Sequence, residues 1–271
     1  MQKNLFSSKE LKVIQQAKSL KVLVIGDSCT DRFIYGTCSR LSPEAPVPVL
    51  KHTSTKEMPG MAGNVVQNVK AFCSNVDLLT QVDEITKVRY VDSRSNQHIM
   101  RFDTEPDVGD GLYDFISNKR AQNAINGNYD VVIISDYNKG FITSAEASSF
   151  TGGMSQTVYV DSKKPDISCF KNSIVKLNEK EFETAGSTFS DCSDIIVTLG
   201  ANGAAHGVKH FPSDPAEVFD VSGAGDTFLA SFSIFHSITK DISKAIKFAN
   251  KCGSIVVQHK GTYSLQVSDL Q

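Results

Sequence analysis

Short, wholly apolar runs recur along the chain, and each closes in polar residues. Val22 to Ile25 (VLVI) runs into Gly26-Asp27 and then Asp31. Val131 to Ile134 (VVII) leads to Ser135-Asp136-Tyr137-Asn138-Lys139-Gly140, and Val158 to Val160 meets Asp161-Ser162-Lys163-Lys164. Ile174-Val175 precedes Lys176-Leu177-Asn178-Glu179-Lys180-Glu181, and Ile195 to Val197 precedes Thr198-Leu199-Gly200-Ala201-Asn202-Gly203. Runs this short, rich in Val and Ile and without alternation, suit strands of a parallel sheet covered on both faces. Such sheets bind ligands beyond the carboxyl ends of their strands. The pattern therefore predicts an α/β fold with its chemistry along one edge.

Helical spacing marks three further stretches. Ser7 and Glu10 spell a capping box ahead of Leu11, Ile14 and Ala17. Phe228, Leu229, Phe232 and Phe235 make an apolar stripe over about Asp226 to His236. Ala245, Phe248, Ala249, Cys252 and Val256 make another over Ile242 to Val257. A different texture fills residues 32–53 and 89–103, where FIYG, PVPVLKH, KVRYVDS and HIMRF are β-rich. Pro46 and Pro48 fit only an edge strand or its approach. These pieces predict a small β lid on a single domain covering residues 1–271.

Composition narrows the class. With 271 residues, 40% hydrophobic and 21% charged, the chain can bury a sizeable core. Lys and Arg total 28 against 30 Asp and Glu, which argues against a sequence-independent nucleic-acid binder. The six cysteines form no C-x-x-C pair, and the polar amino terminus has neither the look of a leader nor of a membrane span. Reduced thiols and a cytoplasmic location are the expectation.

The strongest local signal is Asp220-Val-Ser-Gly223-Ala224-Gly225-Asp226-Thr-Phe, running straight into a helix. Glycines at a helix start let backbone N–H groups approach an anion, and the helix dipole adds attraction. An aspartate in the first turn can then take a proton from an attacking hydroxyl, as phosphoryl transfer requires. The bland alternative is a glycine turn with Asp226 as an ordinary helix-start acid. No G-x-x-x-x-G-K-[ST] occurs, and Gly223-Ala-Gly225 lacks the third glycine of a dinucleotide fingerprint.

Ser222-Gly-Ala-Gly-Asp-Thr-Phe resembles the carboxyl-terminal signature of the ribokinase family of sugar kinases. Gly26-Asp-Ser-Cys-Thr-Asp31-Arg32, Ser39-Arg-Leu-Ser-Pro-Glu-Ala-Pro-Val-Pro48, Pro59-Gly-Met-Ala-Gly-Asn64, Ser93 to Arg101 and Ser135 to Gly140 resemble one branch of it. That branch is the D-glycero-β-D-manno-heptose-7-phosphate kinases, which occur alone or as half of bifunctional enzymes. The resemblance implies a three-layer α/β/α sandwich with a mostly parallel sheet, and ATP and magnesium as cofactors. The near-balanced charge and lack of a long apolar stretch predict no nucleic-acid or membrane partner, and apolar surface exposed by a lost sheet-covering helix predicts a homodimer or a partner protein to cover it. The reaction would be phosphorylation of the anomeric hydroxyl to the 1,7-bisphosphate.

The resemblance also implies roles. Asp226 would be the general base, and the amides of Gly223, Ala224 and Gly225 would hold the transferred charge. Asp27, Asp31, Gly60, Gly63, Asn64 and Asp136 would meet the sugar, with Arg94 and Arg101 on its 7-phosphate. Lys139 and Lys163 would meet sugar phosphate or nucleotide, or remain surface lysines. Asn178 and Glu181 match the N-x-x-E motif associated with magnesium and phosphate. Thr198, Gly200, Gly203 and Asn250 would line the ATP site, and Asp220 resembles a position linked to a monovalent cation such as potassium.

The sequence also departs from the pattern. Met61 stands where the sugar loop usually carries a second glycine. Thr80 to Thr86 passes straight across a region where relatives have a turn, a helix and a strand, and Ala185 to Asp194 is contracted too. These residues match no nucleotidyltransferase half, and a kinase domain alone is the expectation. Kinases for another sugar phosphate, or a non-catalytic sugar- or nucleotide-binding relative, are therefore the alternatives.

Overall fold

A computed structural model describes residues 5–105, 114–186, 194–259 and 261–271. In chain order the first elements are α1 (Ser8–Ala17), β1 (Val22–Gly26), β2 (Ser28–Leu41), β3 (Pro48–Met61), α2 (Ala62–Lys70), β4 (Val76–Leu79), β5 (Thr86–Asp92) and β6 (Gln97–Thr104). There follow α3 (Lys119–Ile125), β7 (Val131–Asp136), α4 (Ser144–Gly153), β8 (Val158–Ser162), β9 (Ser173–Asn178) and α5 (Glu179–Ala185). The last are β10 (Asp194–Thr198), β11 (Ala204–His206), β12 (Lys209–Phe211), α6 (Ala224–Thr239) and α7 (Ile242–Val256).

The chain divides into two compact units. The larger takes residues 1–27, 61–81 and 108–271, and the smaller takes 28–60 and 82–107. The larger unit holds an eight-stranded sheet in the order β12-β11-β10-β9-β8-β7-β1-β4. From β4 to β10 every pairing is parallel, and the β10–β11 and β11–β12 pairings are antiparallel.

Strands β1, β7 and β8 are buried at every position, as a doubly covered sheet requires. Their side chains alternate between two cores. Val22, Val24, Val131 and Ile133 pack with α1, α2, α6 and α7 through Ile14, Val65, Val69, Phe232 and Phe248. Leu23, Ile25, Val132 and Ile134 pack with Ala121, Ala147 and Phe150 of α3 and α4. Each such fully buried aliphatic contributes about 1.5–3 kcal/mol. A helical layer thus lies on each face of the sheet.

The capping box at Ser7 and Glu10 forms with both bonds in place. Helix α6 is longer than its apolar stripe indicates. It starts at Ala224 because Gly223 takes a left-handed φ of +83°, and it ends where Lys240 turns left-handed at +54°. Met61 precedes α2 at φ +57° and ψ −131°, a conformation open to glycine and strained for methionine. That is the backbone reason for glycine at this position of the motif.

The smaller unit is a four-stranded sheet, β3-β2-β5-β6. Pro48 opens β3, which is an edge strand, so no ladder bond is lost to its missing N–H. Its strands reach beyond residues 32–53 and 89–103 at both ends. Among the described residues five cysteines are free, and no helix is long and apolar enough to cross a membrane. Cys192 and most of the contracted stretch after Ala185 lie outside the described residues.

Candidate active site

The polar ends of β1, β7, β8 and β9 meet the start of α6, all within the larger unit. Asp226, in the first turn of α6, is buried at 6% exposure. Its Oδ2 accepts from Asn64 Nδ2 at 2.7 Å, and its Oδ1 accepts from the Tyr137 hydroxyl at 2.9 Å. Burial pushes this carboxyl up to about 6, against the bonds from Asn64 and Tyr137 and the charge of Lys176; the charge of Asp161 adds to the rise. An acid poised there can exchange a proton near neutral pH.

Asn64 is itself fixed. Its Oδ1 accepts from Ser264 Oγ at 2.8 Å and from Asn68 Nδ2 at 3.3 Å. Asn68 Oδ1 in turn accepts from Thr227 Oγ1 at 2.8 Å and Leu265 N at 3.0 Å. Gly223 carries its left-handed φ with Asn64 Nδ2 2.7 Å from where a Cβ would stand. Gly63 is buried in the first turn of α2. Of the three amides assigned to the transferred charge, that of Ala224 donates to Val221 O at 3.2 Å.

Asp27 is fully buried, and the structure gives its carboxylate to backbone amides. Oδ2 accepts from Tyr137 N at 2.7 Å and Lys139 N at 3.3 Å, and Oδ1 from Phe141 N at 3.4 Å. Burial and then the Asp136 charge raise its pKa, and these amides oppose the rise. Asp136 is likewise inside, accepting from Ser162 Oγ at 2.7 Å and Asn138 N at 2.9 Å, with Lys164 Nζ at 3.5 Å. Both acids therefore shape the segment 135–141, in which Lys139 is half-buried.

A charge cluster lies beside Asp226, in which the sequence reading assigned roles to Lys163 and Glu181 but not to Lys176 and Asp161. Lys176 is buried in β9, and its Nζ donates to Asp161 Oδ2 at 2.6 Å. The same Nζ lies 3.1 Å from where a Cβ on Gly225 would be. Lys163 Nζ pairs with Glu181 and stands 3.5 Å from Asp161 Oδ1. Burial pushes Asp161 up, but the two lysines outweigh it and hold its pKa below the usual range. Burial pulls Lys163 down, and Asp161, Glu181 and Asp226 outweigh that to raise it. A lysine interrupting the apolar run of β9 was the available signal, since a buried strand admits one only with a partner.

Asn178 and Glu181 form a reciprocal capping box on α5, with Asn178 N to Glu181 Oε2 at 2.8 Å and Glu181 N to Asn178 Oδ1 at 2.9 Å. Among the described residues no three His, Cys, Asp or Glu side chains converge as a metal cage. Asp161 Oδ1, however, is buried without a hydrogen bond among the described residues, with Lys163 Nζ 3.5 Å away. An orphan carboxylate oxygen beside Glu181 suits a magnesium ion that keeps its waters and arrives on phosphates.

The residues assigned to the nucleotide are spread more widely. Thr198 Oγ1 donates to Leu177 O at 3.2 Å, and Gly200 and Gly203 bound the turn after β10. Asn250 Nδ2 donates to Phe211 O at 2.8 Å, which fixes the end of β12. Asp220 Oδ1 accepts from Ser222 N at 2.8 Å in a local turn.

Asp31, Gly60, Arg94 and Arg101 belong to the smaller unit. Asp31 is paired with Arg89, which the sequence reading did not single out. Gly60 leaves room for Asp31 and Cys29, whose side chains a Cβ would strike. Arg101 faces Arg89 across β5 and β6 and forks onto Asp103 at 2.6 and 2.8 Å. Arg94 is exposed, bonds Cys38 O and lies 3.6 Å from Asp92. Arg94 and Arg101 are thus turned to separate acids.

Residues 145–269 match the pfkB family carbohydrate kinase profile. The bifunctional protein HldE of Campylobacter curvus is 31% identical over 94% of this chain and 65% of its own length. That of Nitrosococcus oceani is 32% identical over 93% of this chain and 63% of its own. The chain spans less than two thirds of the length of these curated relatives. Among solved structures, the ribokinase of Thermotoga maritima superposes at a TM-score of 0.64 with 17% identity, over 90% of this chain and 94% of its own. Phosphofructokinase-2 of Escherichia coli reaches 0.70 with 14% identity, over 93% and 97%. The fold is ribokinase-like, and residues 145–269 carry the likeness to the pfkB family of carbohydrate kinases.

Proposed function

We propose that the chain transfers the γ-phosphoryl group of ATP to the anomeric hydroxyl of D-glycero-β-D-manno-heptose 7-phosphate, releasing ADP and the 1,7-bisphosphate. The observation that carries the reading is Asp226, a buried carboxyl raised to about 6 at the first turn of α6 and aimed by Asn64 and Tyr137. The likeness to HldE proteins over nearly the whole of this chain supports the heptose substrate.

In this mechanism Asp226 accepts the proton of the sugar hydroxyl as its oxygen bonds to the γ-phosphorus. The bond from that phosphorus to the β–γ bridging oxygen breaks, and ADP leaves. In a loose transition state the proton moves late, so orientation of the carboxylate counts for more than its basicity. Of the amides opening α6, that of Ala224 is engaged with Val221 O, so those of Gly223 and Gly225 would carry most of the contact with the developing charge. Lys176 in β9 and Lys163 just after β8 add positive charge, held in place by Asp161 and Glu181. Asp161 and Glu181 would hold the waters of a magnesium ion bound to the phosphates, which supplies further charge neutralisation.

ADP release over a panel of sugar phosphates tests the reading. Heptose 7-phosphate is expected to turn over, and Asp226→Asn to lower kcat by at least about 100-fold, as loss of a positioned base does. Turnover on a hexose phosphate with none on the heptose would overturn the substrate. The strained Met61 favours that second outcome over other failures, since its side chain occupies a glycine position of the sugar loop. Binding of ATP without turnover of any sugar would mark a non-catalytic relative.

A further inference from the structure

We infer that Tyr137 is a positioning residue for Asp226, holding the carboxylate in the orientation that receives the substrate proton, and that Asp27 acts through it. The inference deepens the kinase reading above and rests on it.

The geometry is a three-part chain. Asp27, at the end of β1, accepts from the Tyr137 backbone N–H at 2.7 Å and so fixes where the tyrosine leaves β7. The Tyr137 hydroxyl donates to Asp226 Oδ1 at 2.9 Å. Lys163 Nζ lies 5.6 Å from the centre of the Tyr137 ring, within reach of a cation–π attraction. One side chain thus connects the ends of β1 and β7 to the first turn of α6. Asn64 holds Oδ2 from the opposite element, at 2.7 Å.

A carboxylate held at one oxygen can rotate about χ2, whereas one held at both oxygens from two elements cannot without breaking a bond. Each oxygen still has a second lone pair for the incoming hydroxyl. Loss of the Tyr137 donor frees the rotation and removes a bond that favours the ionised form. The other groups facing Asp226 are Asp161 from β8, which opposes its ionisation, and Lys176 from β9, which favours it. Lys163, after β8, is raised in part by Asp226 itself. None of these is bonded to Asp226 Oδ1 in place of the phenol.

Tyr137→Phe in the full chain tests the inference, with circular dichroism to establish that the variant is folded. The expected result is a kcat lower by roughly 10- to 100-fold with KM for ATP unchanged, because misalignment acts on the chemical step. The acidic limb of kcat/KM is expected to move to higher pH. An activity-independent measurement accompanies it: carboxyl carbon NMR, with the Asp226 signal identified by its loss in Asp226→Asn. Its midpoint, about 6 in the native chain, is expected to rise in Tyr137→Phe.

If native protein turns over no sugar phosphate, the kinase reading falls and the titration alone decides the coupling. A Tyr137→Phe chain with reduced Tm but an unmoved Asp226 midpoint and pH profile overturns the proposal, because only a structural role remains. Should that variant not fold, Asp27→Asn is the second probe. It removes the charge that gathers the loop amides, and it is expected to lower kcat and raise the same midpoint; an unmoved midpoint there overturns the proposal equally.

Discussion

Asp226 ties activity to stability in a direction that can be measured. Its pKa is about 6 in the folded chain and 3.8 in the reference state. Between these values the folded protein binds the extra proton, so its stability falls as pH rises from about 4 to about 6. Comparison with Asp226→Asn isolates the effect, because the neighbouring acids titrate in both proteins. The unfolding free energy of the native chain relative to that variant is expected to drop by up to about 3 kcal/mol across this window. Urea midpoints at pH 4 and pH 7 provide the check, and a difference independent of pH would refute the elevated pKa. At the same scale the sequence was informative for Asp226 and its glycines, because they are adjacent. It was silent on Tyr137, Lys176 and Arg89. The partners of Tyr137 and Arg89 lie 89 and 58 positions away, and spacing along a chain carries no record of such pairings.

Helix α5 shows how one motif can have two meanings. Asn178-x-x-Glu181 resembles a magnesium-associated signature, and it also spells a capping box, which is what the backbone makes of it. Asn178→Ala is expected to lose about 1 kcal/mol, while Asn178→Ser, which can cap, stays within a few tenths. Urea denaturation distinguishes them, and a change in the KM for ATP in the serine variant would then report a ligand role separate from the cap. The strands were the most legible elements, since full burial on two faces leaves an unbroken apolar run that no loop imitates. The cap of α1 was legible for the same local reason. The start of α6 was not, because it depends on the left-handed Gly223 and not on the apolar stripe. Met61 was recognised as out of place, but its strain is a property of φ and ψ that residue type alone does not carry.

At the scale of the molecule, β4 stands at the edge of the eight-stranded sheet. An edge offers unpaired backbone groups to other chains. Arg120 blunts this one: its Nη1 donates to Leu78 O at 3.2 Å, and its Nε lies 3.9 Å from Asp77. Arg120→Ala is expected to increase concentration-dependent association, read by sedimentation velocity, with little change in ADP release. Two compact units, one α/β and one all-β, were visible in the sequence as a change of texture, although their boundaries at residues 27–28, 60–61, 81–82 and 107–108 were not. Asp27 is the last residue before the first of these boundaries, and it holds the amides of Tyr137, Lys139 and Phe141. The consequence is one of portability. Segment 135–141 cannot be transplanted into another scaffold as a cassette, because its amides would arrive without the acid that gathers them from about 110 residues upstream. The all-β unit starts one residue later and takes none of that anchor with it, so exchanging that unit for another leaves the gathered amides with their acid.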